Sequence, residues 1–209
     1  HRSTENRKIG FNALCFDTRK AGISTYIDNL LRQYAAVPLP CTLVVFAPTE
    51  AKGVLPEDGK IRYVFLAAPT RIIRIVVEQC ILPLLCWFMR IELCHSVANV
   101  GPVLLGSRNV ITVHDVYFLH DTKRFGPIKN TYLRLFTRLS FARARKIIAV
   151  SATTRNDIIH FYAVDGARIA VIYEGVGAAG VPESDSEIAL DKIGKKITTP
   201  YYLFVGTIE

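Results

Sequence analysis

Residues 109–113 read NVITV and are followed at once by His114 and Asp115. An apolar, β-branched run without alternation is typical of a strand that is buried on both faces, as in a parallel sheet. Such sheets bind ligands just beyond the carboxyl ends of their strands. The run therefore predicts an α/β fold and places His114 where chemistry is expected.

Similar short apolar runs alternate with stretches of helical periodicity along most of the chain. The predicted strands span residues 8–16, 42–47, 61–66, 92–95, 109–113, 146–150 and 169–173. The predicted helices span residues 24–36, 70–90, 127–145 and 152–161. This alternation predicts an α/β fold with a Rossmann-like parallel sheet and helices on both faces.

Composition divides the 209 residues into four segments. Residues 1–8 are a polar tail without a signal-peptide pattern, and residues 9–177 hold the alternating strands and helices. Residues 178–200 are rich in Gly, Ser and charged side chains, which is typical of a linker. Residues 201–209 begin with a buried-strand pattern, so we expect a truncated second α/β domain to start there.

Residues 72–89 are the most apolar stretch, and a membrane span is the alternative to a core helix there. Arg74, Glu78, Gln79 and Pro83 interrupt it, and the remainder is shorter than the roughly 20 apolar residues that a spanning helix needs. We therefore predict a core helix. The five cysteines are odd in number and include no CxxC pair, which favours reduced, buried thiols and a cytoplasmic location.

Basic residues are concentrated in one part of a chain whose formal net charge is +8. Between Asp121 and Asp157 there are nine basic residues and no acidic one. On the predicted helix 127–145 a stripe at helical spacing contains Arg134, Arg138, Phe141 and Arg145. Such a stripe suits an anionic membrane surface or a lipid pyrophosphate acceptor, or is simply a solvated basic face. The residues predicted to face the core are Ile128, Tyr132, Leu135, Phe136, Leu139 and Ala142.

Several common α/β enzyme classes are excluded by missing motifs. The chain has no GxGxxG after its first strand and no GxxxxGK[ST] phosphate loop. It has no GxSxG elbow, and His95, His114 and His120 do not have the spacing of paired metal ligands. The basic charge leaves a nucleic-acid-binding domain as an alternative, although no recognised nucleic-acid motif is present.

Six segments in a fixed order carry a family resemblance. They are residues 20–30 (KAGISTYIDNL), 78–83 (EQCILP), 93–96 (LCHS), 113–115 (VHD), 144–151 (ARKIIAVS) and 169–176 (IAVIYEGV). In this order the chain resembles the N-terminal half of glycosyltransferase family 4, whose members are retaining, two-domain enzymes of the GT-B fold. The terminal run at 201–206 is similar to the first strand of the family's second domain.

The resemblance implies transfer of a sugar from a nucleotide-sugar donor to a saccharide or polyprenyl-linked acceptor, with retention. In the family the second domain holds most of the donor and the first domain holds the acceptor, so we expect residues 1–209 to be inactive alone. No cofactor is expected, since the nucleotide-sugar is a substrate. The implied location is cytoplasmic, with peripheral binding to the inner face of the cell membrane. Another GT-B enzyme, such as a sugar-nucleotide epimerase, is a further alternative.

Three residues are candidates for contact with the donor. His114, the candidate catalytic residue, matches the family's strand-end histidine, where a neutral imidazole can hydrogen-bond a sugar hydroxyl or polarise the reacting region; the alternative is a histidine satisfied by local backbone. Gly22, in the loop before the first helix, lets backbone N–H groups approach a phosphate, or is an ordinary loop glycine. Arg155 could meet a phosphate or be a solvated surface arginine.

The candidates for the acceptor side are His95, Arg134 and Arg138. His95 ends a predicted strand, as His114 does, and the two arginines belong to the basic stripe. Asp115 is expected to hold the following loop, and Ser151 to cap the helix that it precedes. Glu174 stands where many family members have Asn, which leaves its role open.

Overall fold

The computed structural model describes residues 7–19, 22–120 and 126–175. The strands in these ranges are β1 (Lys8–Asn12), β2 (Thr42–Pro48), β3 (Ile61–Leu66), β4 (Leu93–Ser96), β5 (Asn109–Val113), β6 (Lys146–Ala149) and β7 (Ile169–Val171). They form one seven-stranded sheet in the order β3-β2-β1-β4-β5-β6-β7, and every neighbouring pair is parallel. The predicted Rossmann-like parallel sheet is confirmed.

Helices cover both faces of this sheet. They are α1 (Ile23–Ala36), α2 (Arg71–Val76), α3 (Leu82–Phe88), α4 (Tyr117–His120), α5 (Pro127–Arg143) and α6 (Ala152–Tyr162). Successive residues of β2 show why both faces are covered: Val45 packs in one cluster with Ile27 of α1, and Val44 packs in another with Leu82 of α3. Burial of alternate side chains on opposite faces explains the unbroken apolar pattern of the strands.

The strand order creates a crevice at the centre of the sheet. After β1 the chain adds β2 and β3 on one side, then returns to place β4 on the other side of β1. The order therefore reverses between β1 and β4, which is where ligands bind in open α/β sheets. Residues that follow β1, β4 and β5 are the ones that this topology brings together.

The connection from β3 to β4 is one helix interrupted by a π-helical segment. α2 continues through the π-helical residues Val77–Ile81 into α3. The segment contains one more residue than an α-helical turn requires, so the consecutive side chains of Glu78 and Gln79 are both buried. Glu78 accepts a hydrogen bond from Asn12 at 2.6 Å, and Gln79 donates to the carbonyl of Gly101 at 3.3 Å.

The prediction that residues 72–89 form a core helix is wrong for one side of the helix, which lies in solvent. A set of side chains that we call the outer helix face is exposed to solvent: Ile72, Ile73, Val76, Cys80, Ile81, Leu84, Trp87 and Phe88. Trp87 is 63% exposed and Phe88 is 71% exposed. The helix packs only its inner side, including Leu82 and Cys86, against the sheet. Nothing in the described residues packs over the other side.

The predicted orientation of α5 is also wrong, because the side that faces the sheet is shifted by about one residue from the side predicted to face it. Phe141, assigned to the exposed basic stripe, is fully buried, whereas Leu135, assigned to the core, is 51% exposed. The inner side of the helix includes buried polar groups, and Ser140 donates to the carbonyl of Gly101 at 2.8 Å. A hydrophobic pattern could not reveal this side, because part of it is polar. Arg134 and Arg138 are exposed, as predicted.

Most other predicted elements are confirmed, with shorter ends. The first strand stops at Asn12, and α4 was not predicted. All five cysteines are free, but Cys80 is exposed rather than buried. The described sheet belongs to a compact unit, His1–Glu174. The predicted linker and the predicted strand at 201–206 lie outside the described residues, as do residues 1–6 of the predicted tail.

Candidate functional site

His114 directly follows β5, and its backbone is held by two neighbouring segments. Its N–H donates to Asn99 Oδ1 at 3.0 Å, and its carbonyl accepts from Thr154 Oγ1 at 3.2 Å. Asn99 lies in the loop after β4 and also donates to the carbonyl of Asp115 at 2.7 Å. Thr154 lies in the first turn of α6. The segments that follow β4, β5 and β6 are thereby joined at the carboxyl edge of the sheet.

The His114 ring makes two polar contacts within the domain. Nδ1 lies 2.7 Å from Glu174 Oε1, and Nε2 lies 3.0 Å from the carbonyl oxygen of Val97. A carbonyl and a carboxylate can only accept hydrogen bonds, so both contacts are satisfied when each ring nitrogen carries a proton. The ring is therefore held between a carboxylate and a backbone carbonyl. Its side chain is 14% exposed, whereas that of Glu174 is 46% exposed.

Tyr26 of α1 packs against the His114 ring edge to face, with ring centroids 5.1 Å apart. Its hydroxyl also hydrogen-bonds Thr112 of β5, and Thr112 Oγ1 lies 2.8 Å from His95 Nε2. Burial, and secondarily the charge of His114, lower the pKa of His95 to about 4. His95 is therefore neutral near pH 7, and a chain of contacts through Thr112 and Tyr26 links it to His114.

Gly22 lies next to this group because it precedes the first turn of α1. Its carbonyl accepts from the N–H of Tyr26 at 3.1 Å, and its φ of +49° is a conformation that L side chains rarely adopt. Gly22 provides no side-chain cap for the helix. A ligand phosphate can therefore approach the first turn without meeting a side chain at this position.

Arg155 is not brought to the His114 group. Its guanidinium lies over Gly166, where an added Cβ would come within 2.7 Å of it. Gly166 precedes β7, so the side chain is directed toward the amino edge of the sheet. Arg134 and Arg138 lie on the exposed side of α5. Asp115 accepts from the N–H of Tyr117 at 3.0 Å, as expected for a residue that holds its loop.

A cavity of about 650 Å³ lies at the carboxyl edge beside the crevice. Its lining comes from the loops after β1, β2 and β3 and includes Arg19, Arg71 and Arg74. Arg19 is paired with Asp17 at 2.6 Å, but within the described residues the buried Nε of Arg74 has no hydrogen-bond partner. A sequence pattern could not identify these arginines as a group, since only the sheet order brings the three loops together.

The loop after β1 is held in place by a buried, hydrogen-bonded pair, Asn12 and Glu78. Asn12 donates to Glu78 at 2.6 Å and accepts from the N–H of Leu14 at 3.2 Å. Burial raises the pKa of the Glu78 carboxyl to about 7, although the Asn12 hydrogen bond and the charge of Arg74 both lower it. The pair couples the loop that lines the cavity to the π-helical segment.

None of the helices in the described ranges combines the length and hydropathy needed to cross a bilayer. Ser151 accepts from the N–H of Thr154 at 3.0 Å and caps α6, as predicted.

Solved structures of known proteins share the fold. The structure of Anabaena Alr3699/HepE in complex with UDP-glucose aligns with a TM-score of 0.56 at 15% identity, over 90% of this chain and 50% of that chain. The UDP-N-acetylglucosamine 2-epimerase of Rickettsia bellii aligns with a TM-score of 0.55 at 6% identity, over 91% and 48%. A glycosyltransferase of Rickettsia africae ESF-5 aligns with a TM-score of 0.51 at 14% identity, over 93% and 51%. The chain thus has the Rossmann-like fold of one half of a GT-B structure and spans about half the length of these proteins.

The sequence matches agree with the fold. Over 96 residues the chain is 32% identical to the O-antigen chain mannosyltransferase RfbU of Salmonella typhimurium. The aligned stretch covers 46% of this chain and 24% of that protein. The model of Glycosyltransferase Family 4 matches residues 21–179. This range contains Gly22, the His114 group and Glu174. Because the match covers more than half of the chain, the protein belongs to Glycosyltransferase Family 4.

Proposed function

We propose that this protein takes part in the transfer of a sugar from a nucleotide-sugar to a saccharide or polyprenyl-linked acceptor, with retention, in polysaccharide biosynthesis. The observation that carries the proposal is His114 in a Family 4 domain, at the carboxyl end of β5 and beside the reversal of strand order. Similarity to an O-antigen chain mannosyltransferase supports the acceptor class, and the structure of a UDP-glucose complex supports the donor class.

The pair of His114 and Glu174 is the proposed contact for the donor sugar. Both ring nitrogens of His114 already have partners within the domain, so a sugar hydroxyl would donate to the half-exposed carboxylate of Glu174, which the His114 ring holds in place. Tyr26 and Asn99 hold the ring and the backbone of His114 in place. His95 is proposed as a positioning residue on the acceptor side, acting through Thr112.

The test compares His114→Ala with His160→Ala in the full gene product. We expect His114→Ala to lower kcat about tenfold or more, since the Glu174 carboxylate proposed to contact the donor sugar loses its hydrogen-bond partner. The exposed His160 of α6 lies outside the His114 group, so its replacement should leave kcat unchanged. Equal activity of the two variants would refute the assignment of His114.

The donor phosphates are proposed to bind near Gly22, at the first turn of α1. The backbone there is accessible, and the N-terminus of a helix favours anions. Arg155 stays a weaker candidate for this role, because its guanidinium lies over Gly166. Gly22→Ala should raise the KM for the nucleotide-sugar without an equal change in the KM for the acceptor.

The acceptor is proposed to bind in the cavity of about 650 Å³. Its arginines suit an anionic group such as a lipid pyrophosphate. Replacing Arg71 or Arg74 by Ala should raise the KM for such an acceptor about tenfold, the effect of losing one charge-assisted hydrogen bond. Arg62→Ala, at an exposed position on β3, is the control. Arg134→Ala and Arg138→Ala test the α5 stripe, and a larger effect there would move the acceptor site to α5.

Residues 1–209 are proposed to lack turnover on their own and to work with a donor-binding domain beyond them. The alignments support this, since about half of each similar structure remains unmatched. Transfer of labelled sugar by the 209-residue chain alone would overturn the proposal. No cofactor is expected. The proposed location is the cytoplasm, at the inner face of the membrane, where a polyprenyl-linked acceptor would be anchored.

Epimerisation of a nucleotide-sugar is the second candidate function, favoured by the alignment with UDP-N-acetylglucosamine 2-epimerase. The two functions differ in their need for an acceptor. Incubation of the full gene product with UDP-N-acetylglucosamine alone should leave the sugar unchanged if the protein is a transferase. Appearance of the 2-epimer without acceptor would favour the epimerase.

A further inference from the structure

The outer helix face is an apolar surface without a charged side chain among its exposed positions. Its members recur every three or four residues from Ile72 to Phe88 and all point away from the sheet. Exposed apolar side chains are normal when scattered singly, but a contiguous set on one helix marks an interaction surface. Trp87 and Phe88 are in mutual contact, with ring centroids 4.8 Å apart.

Charge at the borders of this face is positive. Exposed Arg71 precedes its first member, and exposed Arg90 follows its last. The acidic residue within the helix, Glu78, is buried on the opposite side against Asn12. A long apolar stripe with arginines at both ends is the pattern of a helix that lies in the plane of an anionic bilayer, where the arginines reach the headgroups.

The basic helix α5 lies beside the helix that carries the outer helix face. The electrostatic environment of Tyr132 in α5 includes Glu78, Arg74 and Arg71, so α5 runs close to α2. The segment Val103–Arg108 contacts both α5 and the π-helical residues, and it carries Leu104, which is 70% exposed. The apolar surface therefore borders the part of the chain in which basic residues are concentrated.

The aromatic end of the outer helix face lies away from the carboxyl edge of the sheet. The helix runs from the end of β3 to the start of β4, so Trp87 and Phe88 lie near the amino edge of the sheet. The His114 group and the arginine cavity lie at the carboxyl edge.

We propose that the outer helix face docks this protein on an anionic lipid bilayer. The apolar side chains enter the boundary between headgroups and acyl chains, and Arg71 and Arg90 contact lipid phosphates. This docking does not depend on sugar transfer. It differs from the membrane contact expected from the sequence, which was assigned to the stripe on α5.

Trp87 is the single tryptophan of the 209 residues, so the chain carries its own probe. We expect its emission to shift to shorter wavelength with phosphatidylglycerol vesicles and to be quenched by brominated lipid. Pure phosphatidylcholine vesicles should bind the chain at least tenfold more weakly, since basic residues near the surface are attracted to anionic headgroups. Unchanged Trp87 emission at saturating phosphatidylglycerol would overturn the proposal.

Substitutions on and off the outer helix face test whether this face, rather than the rest of the surface, binds vesicles. Ile73→Ser combined with Leu84→Ser should reduce co-sedimentation with phosphatidylglycerol vesicles at least tenfold. Ile172→Ser changes an apolar side chain of similar exposure, 54%, near the end of β7, and should bind as the wild type does. Equal binding by the double variant and the wild type would refute the proposal, and circular dichroism verifies that both variants are folded.

A second copy of the chain is the competing occupant of the face. Light scattering without lipid should show a monomer. A dimer that the Ile73→Ser, Leu84→Ser double variant dissociates, together with no vesicle binding by the wild type, would overturn the proposal in favour of self-association. The exposed Cys80 gives a probe independent of Trp87, since vesicles should protect its thiol from maleimide. Failure of the transferase assay would leave these results unaffected.

Discussion

Replacing Glu78 by Gln should stabilise the protein at alkaline pH. Glu78 is buried and accepts a hydrogen bond from Asn12 at 2.6 Å. Glutamine keeps the size of the side chain and an oxygen that can accept the same bond, but it cannot ionise. The variant therefore removes the cost of burying a charge while it preserves the connection between the π-helical segment and the loop after β1.

The magnitude follows from the pKa of Glu78, which burial raises from its ordinary value of 4.5 to about 7. Below pH 4.5 both the folded and the unfolded chain are protonated at this residue, and its contribution to stability is fully present. Between pH 4.5 and 7 the unfolded chain loses the proton first, so stability falls as the pH rises. Because one pKa unit corresponds to about 1.4 kcal/mol, the total loss is roughly 3 kcal/mol above pH 7.

Urea unfolding followed by circular dichroism at pH 5 and pH 8 measures this difference. Glu78→Gln should have a free energy of unfolding roughly 2–3 kcal/mol above that of the wild type at pH 8, and a much smaller advantage at pH 5. Glu57→Gln removes an exposed carboxylate and should keep the pH dependence of the wild type. The same advantage of Glu78→Gln at both pH values would refute the reasoning, since it would show that ionisation of Glu78 is not responsible.

Gly22→Ala should lower the free energy of unfolding by about 1 kcal/mol, because Gly22 has a φ of +49°; unchanged urea unfolding would contradict this. Ser151→Ala should also destabilise by about 1 kcal/mol through loss of the α6 cap, and Ser151→Asp should restore most of the stability in thermal unfolding. Maleimide should modify the exposed Cys80 of the native chain, but the buried Cys94 only after unfolding; mass spectrometry distinguishes the two, and rapid native labelling of Cys94 would show that its burial is wrong.

The strands could be predicted because their burial on two faces leaves a continuous apolar pattern. The run at β5 also identified His114, since a polar residue after such a strand must lie at the carboxyl edge. The partners of His114 could not be found in this way. Tyr26 comes from α1, Asn99 from the loop after β4 and Glu174 from beyond β7. Only the order of the strands brings these distant residues into contact.

Helix faces were harder to predict than helix positions. The stretch at 72–89 is apolar on both sides, so its composition could not indicate that one side lies in solvent. In α5 the side that faces the sheet contains Thr137 and Ser140, which a hydrophobic pattern assigns to the surface. In both cases the deciding information is what packs against the helix, and a local pattern does not contain it.

The π-helical segment Val77–Ile81 fixes the angular phase between α2 and α3. A turn of π-helix takes about five residues to reach the place that an α-helix reaches in about four. Removing one residue from it would therefore leave an ordinary α-helical turn and keep Leu82 and Cys86 facing the core. The loss would fall on Glu78 and Gln79, since consecutive residues of an α-helix lie about 100° apart and would not both be buried. A single-codon deletion there should therefore break the contact with Asn12 or with Gly101 while α3 stays packed on the sheet.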